Sequence, residues 1–544
     1  VSEQLEADGG RLAAETLRRH DIDTLFTLSG GHLFPLYDGC VKTGIRLVDT
    51  RHEQTATFAA EGWAKVTRRP GAAALTAGPG VTNGVSAITS AYLNGTPMLV
   101  VGGRAPQRRW GAGSLQELDH VPIVASITKH AATAAAPERI PELVDAALRA
   151  ARTPHRGPTF VDIPLDAWGV AVATVPGAPE PDALAGAEPD PDAIAAVAKL
   201  VAEADHPVLM VGADVFWARG EDALRAFAEA ARLPVFANGL GRGLLPADHE
   251  LAFSRVRGAA FGEADLVVVA GAPLDFRLGF GRFGDARVAH LADSPAGVAA
   301  NVELAASASG DLARILAGLA DATRRSPGDD RDAWVARLRD EEQARRAAEV
   351  NDLESDASPI RPTRVYGELR RRLDRDAIVI GDGGDFVSYA GKYVDSFQPG
   401  GFLDPGPYGC LGTGSGYALA AALAHPGRQV AVMWGDGALG FSLGDLDTLV
   451  RFGADVVGIV GNNGIWGLEK HPMQLIYGYD VVAELRPGTR YDEVMTALGG
   501  HGELVTEPGE IGPALDRAFA TPGPSLVNVL TDPADAYPRS SNLA

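Results

Sequence analysis

The sequence predicts an α/β protein of three doubly wound parallel-sheet domains, and three observations carry that expectation. Short apolar runs without alternation recur along the chain, each followed by a Gly, Asp or Asn turn and then an amphipathic stretch. Such runs suit strands buried on both faces, as in parallel sheets. Two shifts in composition divide the chain into similar blocks, and 544 residues are far more than one core usually holds. In order, the strands expected are MLVVGG (98–103), PVLMVGAD (207–214), ADLVVVAGAP (264–273), DAIVIGDGG (376–384), QVAVMWGDG (429–437) and DVVGIVGNNG (455–464). The first shift, VATVPGAPEPDALAGAEPDPDA (172–193), is rich in Pro and acid and reads as a linker. Within the second, 323–363, DRDAWVARLRDEEQARRAAEV reads as a charged helix that SDASPIRPTR breaks. The blocks expected are 1–170, 190–345 and 360–535, with a polar tail, 536–544, that could close over a ligand.

Composition excludes several classes. Lys+Arg number 49 and Asp+Glu 70, a net charge of −21, so a nucleic-acid backbone binder is not expected. Two cysteines exclude a disulfide scaffold and fit a reducing, cytoplasmic setting. No uncharged run approaches the ~18 apolar residues that a membrane helix needs, and the N-terminus is too polar for a signal peptide.

The strongest chemical signal is Gly435-Asp436-Gly437 after one strand and Asn462-Asn463 after the next, with 24 residues (438–461) between them. That spacing fits one helix and one strand, so both strand ends should meet at one sheet edge, where α/β proteins bind ligands. Asp436 offers a carboxylate, Asn463 a neutral oxygen and Ile465 a backbone carbonyl. Hard oxygens of this kind, joined by phosphate oxygens, suit Mg²⁺, and the glycines let backbone approach a diphosphate.

This pairing resembles the signature of thiamine-diphosphate enzymes, and the resemblance runs over nearly the whole chain. It implies an N-terminal pyrimidine-binding domain, a middle nucleotide-binding-like domain and a C-terminal diphosphate-binding domain. It implies that Glu53, in TRHEQTATFAAEGWAK, bonds the aminopyrimidine and favours its reactive tautomer. Gly384 and Asp385, in GDGGDFVSYAG, contact the diphosphate by the same resemblance, as do Gly435, Gly437 and Ala438. Asp436, Asn463 and Ile465 would hold the metal, and Leu411, in GCLGTGSGYALAAALA, would wedge the cofactor into a V. Glu53 would reach a cofactor in a second subunit, which implies a homodimer or homotetramer with active sites at the interface.

Two branches compete, the acetohydroxyacid synthases and the 2-hydroxyacyl-CoA lyase/oxalyl-CoA decarboxylase group. FTLSGGHLFPLYDG (26–39) and SLQELDHVPIVASITKH (114–130), with Gln116 facing the thiazole, resemble synthases, although the lyases share the Gln-Glu. GAPLDFRLGFG (271–281) resembles the lyase segment that holds ADP better than the synthase segment that holds FAD. NNGIWGLEKHPM (462–473) lacks the Gln-Trp of synthases and places Glu469 at a helix start, where it could move the hydroxyl proton of a lyase reaction. The motifs therefore lean to reversible cleavage of a 2-hydroxyacyl-CoA thioester, with acetolactate synthesis as the alternative. Arg104, Arg108 and Arg109 read either as contacts for CoA phosphates or as an exposed basic loop, Asp293 and Asp311 either as ribose contacts or as helix caps, and Cys40 and Cys410 as structural.

Overall fold

The computed structural model describes residues 3–180, 184–323 and 331–538. It falls into two compact units. One comprises the described residues up to Leu184 with Ile380–Val387 and those from Pro405 onward, and the other Ala185–Val379 with Ser388–Asp404. The strands form three parallel sheets flanked by helices, one in each of three domains.

In the N-terminal domain, β1 (Glu3–Asp8) precedes β2 (Thr24–Thr27), β3 (Arg46–Asp49), β4 (Gly71–Leu75), β5 (Met98–Arg104), β6 (Ala131–Thr133), β7 (Pro158–Pro164) and β8 (Val170–Val175). The main sheet has the order β3-β2-β4-β5-β7-β6, and its pairings are parallel. β4, β5 and β7 are buried throughout, which explains the unalternating apolar runs of β4 and of β5 up to Gly103. β1 and β8 pair antiparallel apart from that sheet. This corrects the linker expected from 172: the segment begins inside a strand. Val170 and Val172 face outward while Ala171, Ala173 and Val175 are buried, so apolar residues on both faces hid the period of two.

The middle domain arranges β9 (Pro207–Val211), β10 (Val235–Ala237), β11 (Leu266–Ala270), β12 (Arg287–Ala292) and β13 (Ala306–Ser309) as a parallel sheet, β10-β9-β11-β12-β13. The charged helix spans Arg331–Ala348. Its buried Glu342 accepts the backbone N–H groups of Ser254, Arg255 and Val256, which anchors it within this unit.

β14 (Ile378–Asp382), β15 (Phe402–Leu403), β16 (Val430–Gly435), β17 (Val457–Asn462), β18 (His501–Val505) and β19 (Ser525–Leu530) form the C-terminal sheet, β15-β14-β16-β17-β19-β18. β16 and β17 are parallel neighbours with Gly435 opposite Gly461, so their ends share an edge.

The helix Glu53–Thr67 of the N-terminal domain packs on the helix Thr413–Ala424 of the C-terminal domain, inside one compact unit. Small residues set the approach. A Cβ on Gly62 would stand 2.8 Å from Tyr417 Cα, and one on Gly416 2.7 Å from Phe58 Cβ. At that seam the buried Lys65 ammonium pairs with Glu61 at 2.9 Å and donates to the Tyr417 hydroxyl at 2.8 Å. Packing this tight leaves polar groups no water, so each needs a partner inside. Among the described residues no helix is long and apolar enough to cross a membrane.

Candidate active site

Asp436 opens the helix Asp436–Ser442 at the end of β16 and is 3 % exposed. One carboxylate oxygen accepts the Gly437 N–H at 2.9 Å and the other the Gly464 N–H at 2.8 Å, the latter from the turn after β17. Burial pushes this carboxyl up to about 6 against the pull of those N–H groups. No cation pairs with it among the described residues. A buried carboxylate held by backbone alone suits a hard cation, which would remove the cost of its charge. Asn463 lies in the same turn, with its side-chain oxygen accepting the Ile465 N–H at 3.2 Å, and Ile465 is buried. The strand ends thus bring Asp436, Asn463 and Ile465 to one place.

Two of the surrounding glycines, Gly383 and Gly437, leave no room for side chains. A Cβ on Gly437 would lie 2.4 Å from the Trp466 ring, and one on Gly383, at φ 127°, 2.9 Å from Ala438 Cβ and 3.1 Å from Gly435 N. Gly383, Gly435 and Ala438 therefore converge, and Gly384 packs beside Leu468. Buried Asp385 accepts the Tyr537 N–H at 3.1 Å, which places the described part of the tail on that turn. The rest of the expected closing tail, 539–544, lies outside the described residues.

Asp382, at the end of β14, accepts the N–H groups of Gly412 (3.0 Å) and Gly414 (2.8 Å). It thereby fixes the loop that presents Leu411, and burial pushes its carboxyl up to about 6. The Leu411 carbonyl also accepts Gln54 Nε2 at 3.2 Å, next to Glu53. Glu53 is the first residue of its helix and is 7 % exposed, where the helix dipole favours its charge. Asn83 Nδ2 donates to its carboxylate at 2.9 Å.

Gln116 adopts φ 59° beside Gly78, at φ 61°; a Cβ on Gly78 would lie 3.0 Å from Gln116 Cβ. Glu469 is exposed in the first turn of the helix Gly467–Tyr477, and Lys470 pairs instead with Glu484.

Among the weaker candidates only Arg104 is a correction. Arg104 is buried and pairs with Asp162 (2.9 Å) and Asp119 (3.0 Å), so its charge is already matched and not free for CoA phosphates. Arg108 is exposed against Asp166. Asp311 caps the helix Leu312–Ala322 by accepting the Arg314 N–H. Burial pushes both cysteine thiols up to about 12, so neither offers a thiolate.

Sequence reasoning singled out neither Asp382 nor Asn83, and it gave Asn462 no role apart from its neighbour Asn463. Asp382 stood within GDGGD, and its position at a buried strand end was the available signal. Asn462 is buried and donates to the Thr489 carbonyl and Asn528 Oδ1, so the first asparagine of the pair supports the turn.

Family models for the thiamine pyrophosphate enzymes match the chain in three places: the N-terminal TPP binding domain over residues 7–123, the central domain over 194–319 and the C-terminal TPP binding domain over 382–529. A probable acetolactate synthase of Mycobacterium bovis and the acetolactate synthase large subunit IlvG of Mycobacterium tuberculosis are each 55% identical over 547 residues, covering 98% of both chains. A 2-hydroxyacyl-CoA lyase 2 of Caenorhabditis elegans is 33% identical over 587 residues, covering 98% of this chain and 91% of that protein.

Proposed function

The chain belongs to the thiamine pyrophosphate enzymes, and from that membership we propose that it decarboxylates a 2-ketoacid and joins the fragment to a second ketoacid, as an acetolactate synthase does. The observation that carries this reading is the gradient in likeness. Identity is 55% to the acetolactate synthases over 98% of both lengths and 33% to the lyase. The lean of the motifs toward the lyase gives way to it.

Bound thiamine diphosphate supplies an electron sink for breaking and forming a bond next to a carbonyl. The residues present fit it. Asp436, Asn463 and the Ile465 carbonyl would hold Mg²⁺, and that charge would stabilise the buried Asp436 carboxylate. Gly384, Asp385, Gly435, Gly437 and Ala438 would face the diphosphate, where the glycines' lack of side chains lets backbone come close. Leu411, on the loop that Asp382 fixes, would pack against the cofactor rings. Glu53 would share a proton with the pyrimidine ring, its carboxylate oriented by Asn83. Gln116 would orient the substrate at the reactive end. Within the middle domain, burial and then the charges of Arg242 and Arg277 hold the Arg257 guanidinium below its usual range. Arg277 is itself paired with Asp275, and the nucleotide reading of this domain rests on segment 271–281, whose likeness favours ADP over FAD.

One observation favours the lyase as a second reading. The turn after Asn463 carries no Gln-Trp, and Glu469 stands exposed in the following helix as a proton carrier. The deciding experiment offers pyruvate and a short 2-hydroxyacyl-CoA to the enzyme loaded with thiamine diphosphate and Mg²⁺. Pyruvate consumption with acetolactate formed is the expected result. Formyl-CoA release without pyruvate turnover would establish the lyase instead, with Glu469→Gln then lowering kcat by about tenfold to a hundredfold.

A further inference from the structure

The N-terminal domain buries a connected set of polar side chains to which the reading above assigns no task. Arg104 ends β5, Asp162 lies in β7, and His120 ends the loop that carries Gln116. His120 and Asp162 are fully buried. His120 Nδ1 lies 3.0 Å from Asp162 Oδ2, and His120 Nε2 receives the Gly78 N–H at 2.9 Å. Arg104 donates to the same Asp162 oxygen at 2.9 Å, donates to Asp119 at 3.0 Å and lies 4.0 Å from the centroid of the Trp110 ring.

These contacts fix a tautomer. The Gly78 N–H can only donate, so Nε2 must be bare to accept it. The single ring proton then sits on Nδ1 and goes to the Asp162 carboxylate, whose charge Arg104 balances. The neighbouring His32, which bonds Thr76 at 3.3 Å, is held below the usual histidine range chiefly by burial.

The bond to Gly78 bears on the site. Gly78 and Gln116 both adopt left-handed conformations and abut: a Cβ on Gly78 would lie 3.0 Å from Gln116 Cβ and 3.1 Å from its carbonyl oxygen. A non-glycine residue such as Gln116 holds that conformation only where its surroundings impose it. We propose that His120 is a positioning residue, a neutral imidazole that locks the Gly78 turn against Gln116 and so sets where the Gln116 amide stands toward the substrate, with Asp162 and Arg104 fixing its tautomer. This rests on the reading that places Gln116 at the reactive end.

Two measurements test it. Nitrogen-15 spectra of histidine-labelled enzyme read the tautomer without turnover. A protonated Nδ1 and bare Nε2 at His120 are expected, and an imidazolium or an Nε2–H tautomer would overturn the proposal. The second is a pair of variants. His120→Asn retains a donor for Asp162 but is too short to reach Gly78, whereas His120→Gln restores an acceptor near the place of Nε2. His120→Asn should lower kcat about tenfold to a hundredfold, with KM and thiamine diphosphate affinity moving less, because misplacing a reacting group acts mainly in the transition state. His120→Gln should recover most of that loss. Equal losses in the two variants, or an unchanged kcat in His120→Asn, would reduce His120 to a packing residue. A wild-type enzyme that turns over neither pyruvate nor the CoA ester would overturn the functional reading, while the tautomer spectrum would still decide the histidine.

Discussion

The N-terminal sheet β3-β2-β4-β5-β7-β6 and the C-terminal sheet β15-β14-β16-β17-β19-β18 run their strands in the same spatial order, yet they end in different chemistry. The first strand of each stops at Thr27 in one and Asp382 in the other. The third leads to Thr76 and Gly78 in one and to Asp436 in the other, and the fourth to Arg104 and to Asn462-Asn463. The C-terminal edge concentrates oxygens around backbone N–H groups, as a cation and a diphosphate require. The N-terminal edge offers a helix-opening carboxylate, Glu53, after a turn whose Asp49 and Arg51 are ion-paired, and Arg104 is neutralised by Asp162 and Asp119. Topology thus provides the ledge, and a single residue at each strand end decides what the ledge holds.

Removing the Glu53 carboxylate should therefore abolish chemistry but not binding. Glu53→Gln should bind thiamine diphosphate normally and lose about 10² to 10⁴ in turnover, the range for a positioned acid–base group. Normal activity at saturating cofactor would erase the distinction between the two edges. Asp436→Ala should do the reverse and weaken cofactor retention by about a hundredfold, the upper range even for groups that only orient metal ligands. Calorimetric titration with thiamine diphosphate and Mg²⁺ reads this, and unchanged affinity would move the metal elsewhere.

Asp382 sharpens the comparison at smaller scale. Asp382→Asn turns an amide donor toward one of the two N–H groups that its carboxylate accepts. It should cost about 1 to 3 kcal/mol in denaturant unfolding, the range for a buried group left unsatisfied. An unchanged midpoint would mean that the Leu411 loop is held by other contacts. The smallest effect is on pH. Burial raises the Asp382 carboxyl to about 6, so the folded state keeps a proton that the unfolded chain releases near pH 4. Its contribution is full below about pH 4 and is lost as pH rises through 6, making the metal-free enzyme roughly 1 kcal/mol more stable at pH 5 than at pH 7 from this group. Wild type and Asp382→Asn should differ in slope over that window, and parallel slopes would refute the assignment.

The C-terminal edge was the more legible of the two because its information is local. Buried parallel strands announce themselves as apolar runs, and the separation between Asp436 and Asn463 matches one crossover. The N-terminal site was only partly legible. Glu53 could be placed by resemblance, but His120 meets Asp162 and Gly78 only because loops and strands 42 residues apart converge. Arg104 looked like a free charge beside Arg108 and Arg109 because its partner lies 58 residues away. The pair β1 and β8 escaped notice because its strands are joined across a whole domain and the outward face of β8 carries Val170 and Val172.

The seam between the helices Glu53–Thr67 and Thr413–Ala424 has a consequence in time. Lys65 and Tyr417 are separated by 352 residues, which a ribosome adds in roughly 20 to 70 s at ordinary rates. Throughout that interval the helix that carries Glu53 exists with its small-residue face and the buried pair Glu61–Lys65 uncovered. A nascent chain in that state offers a sticky, half-charged surface to its neighbours on the polysome. Slowing elongation should therefore lower the yield of native enzyme, and a chaperone that shields the waiting helix should restore it.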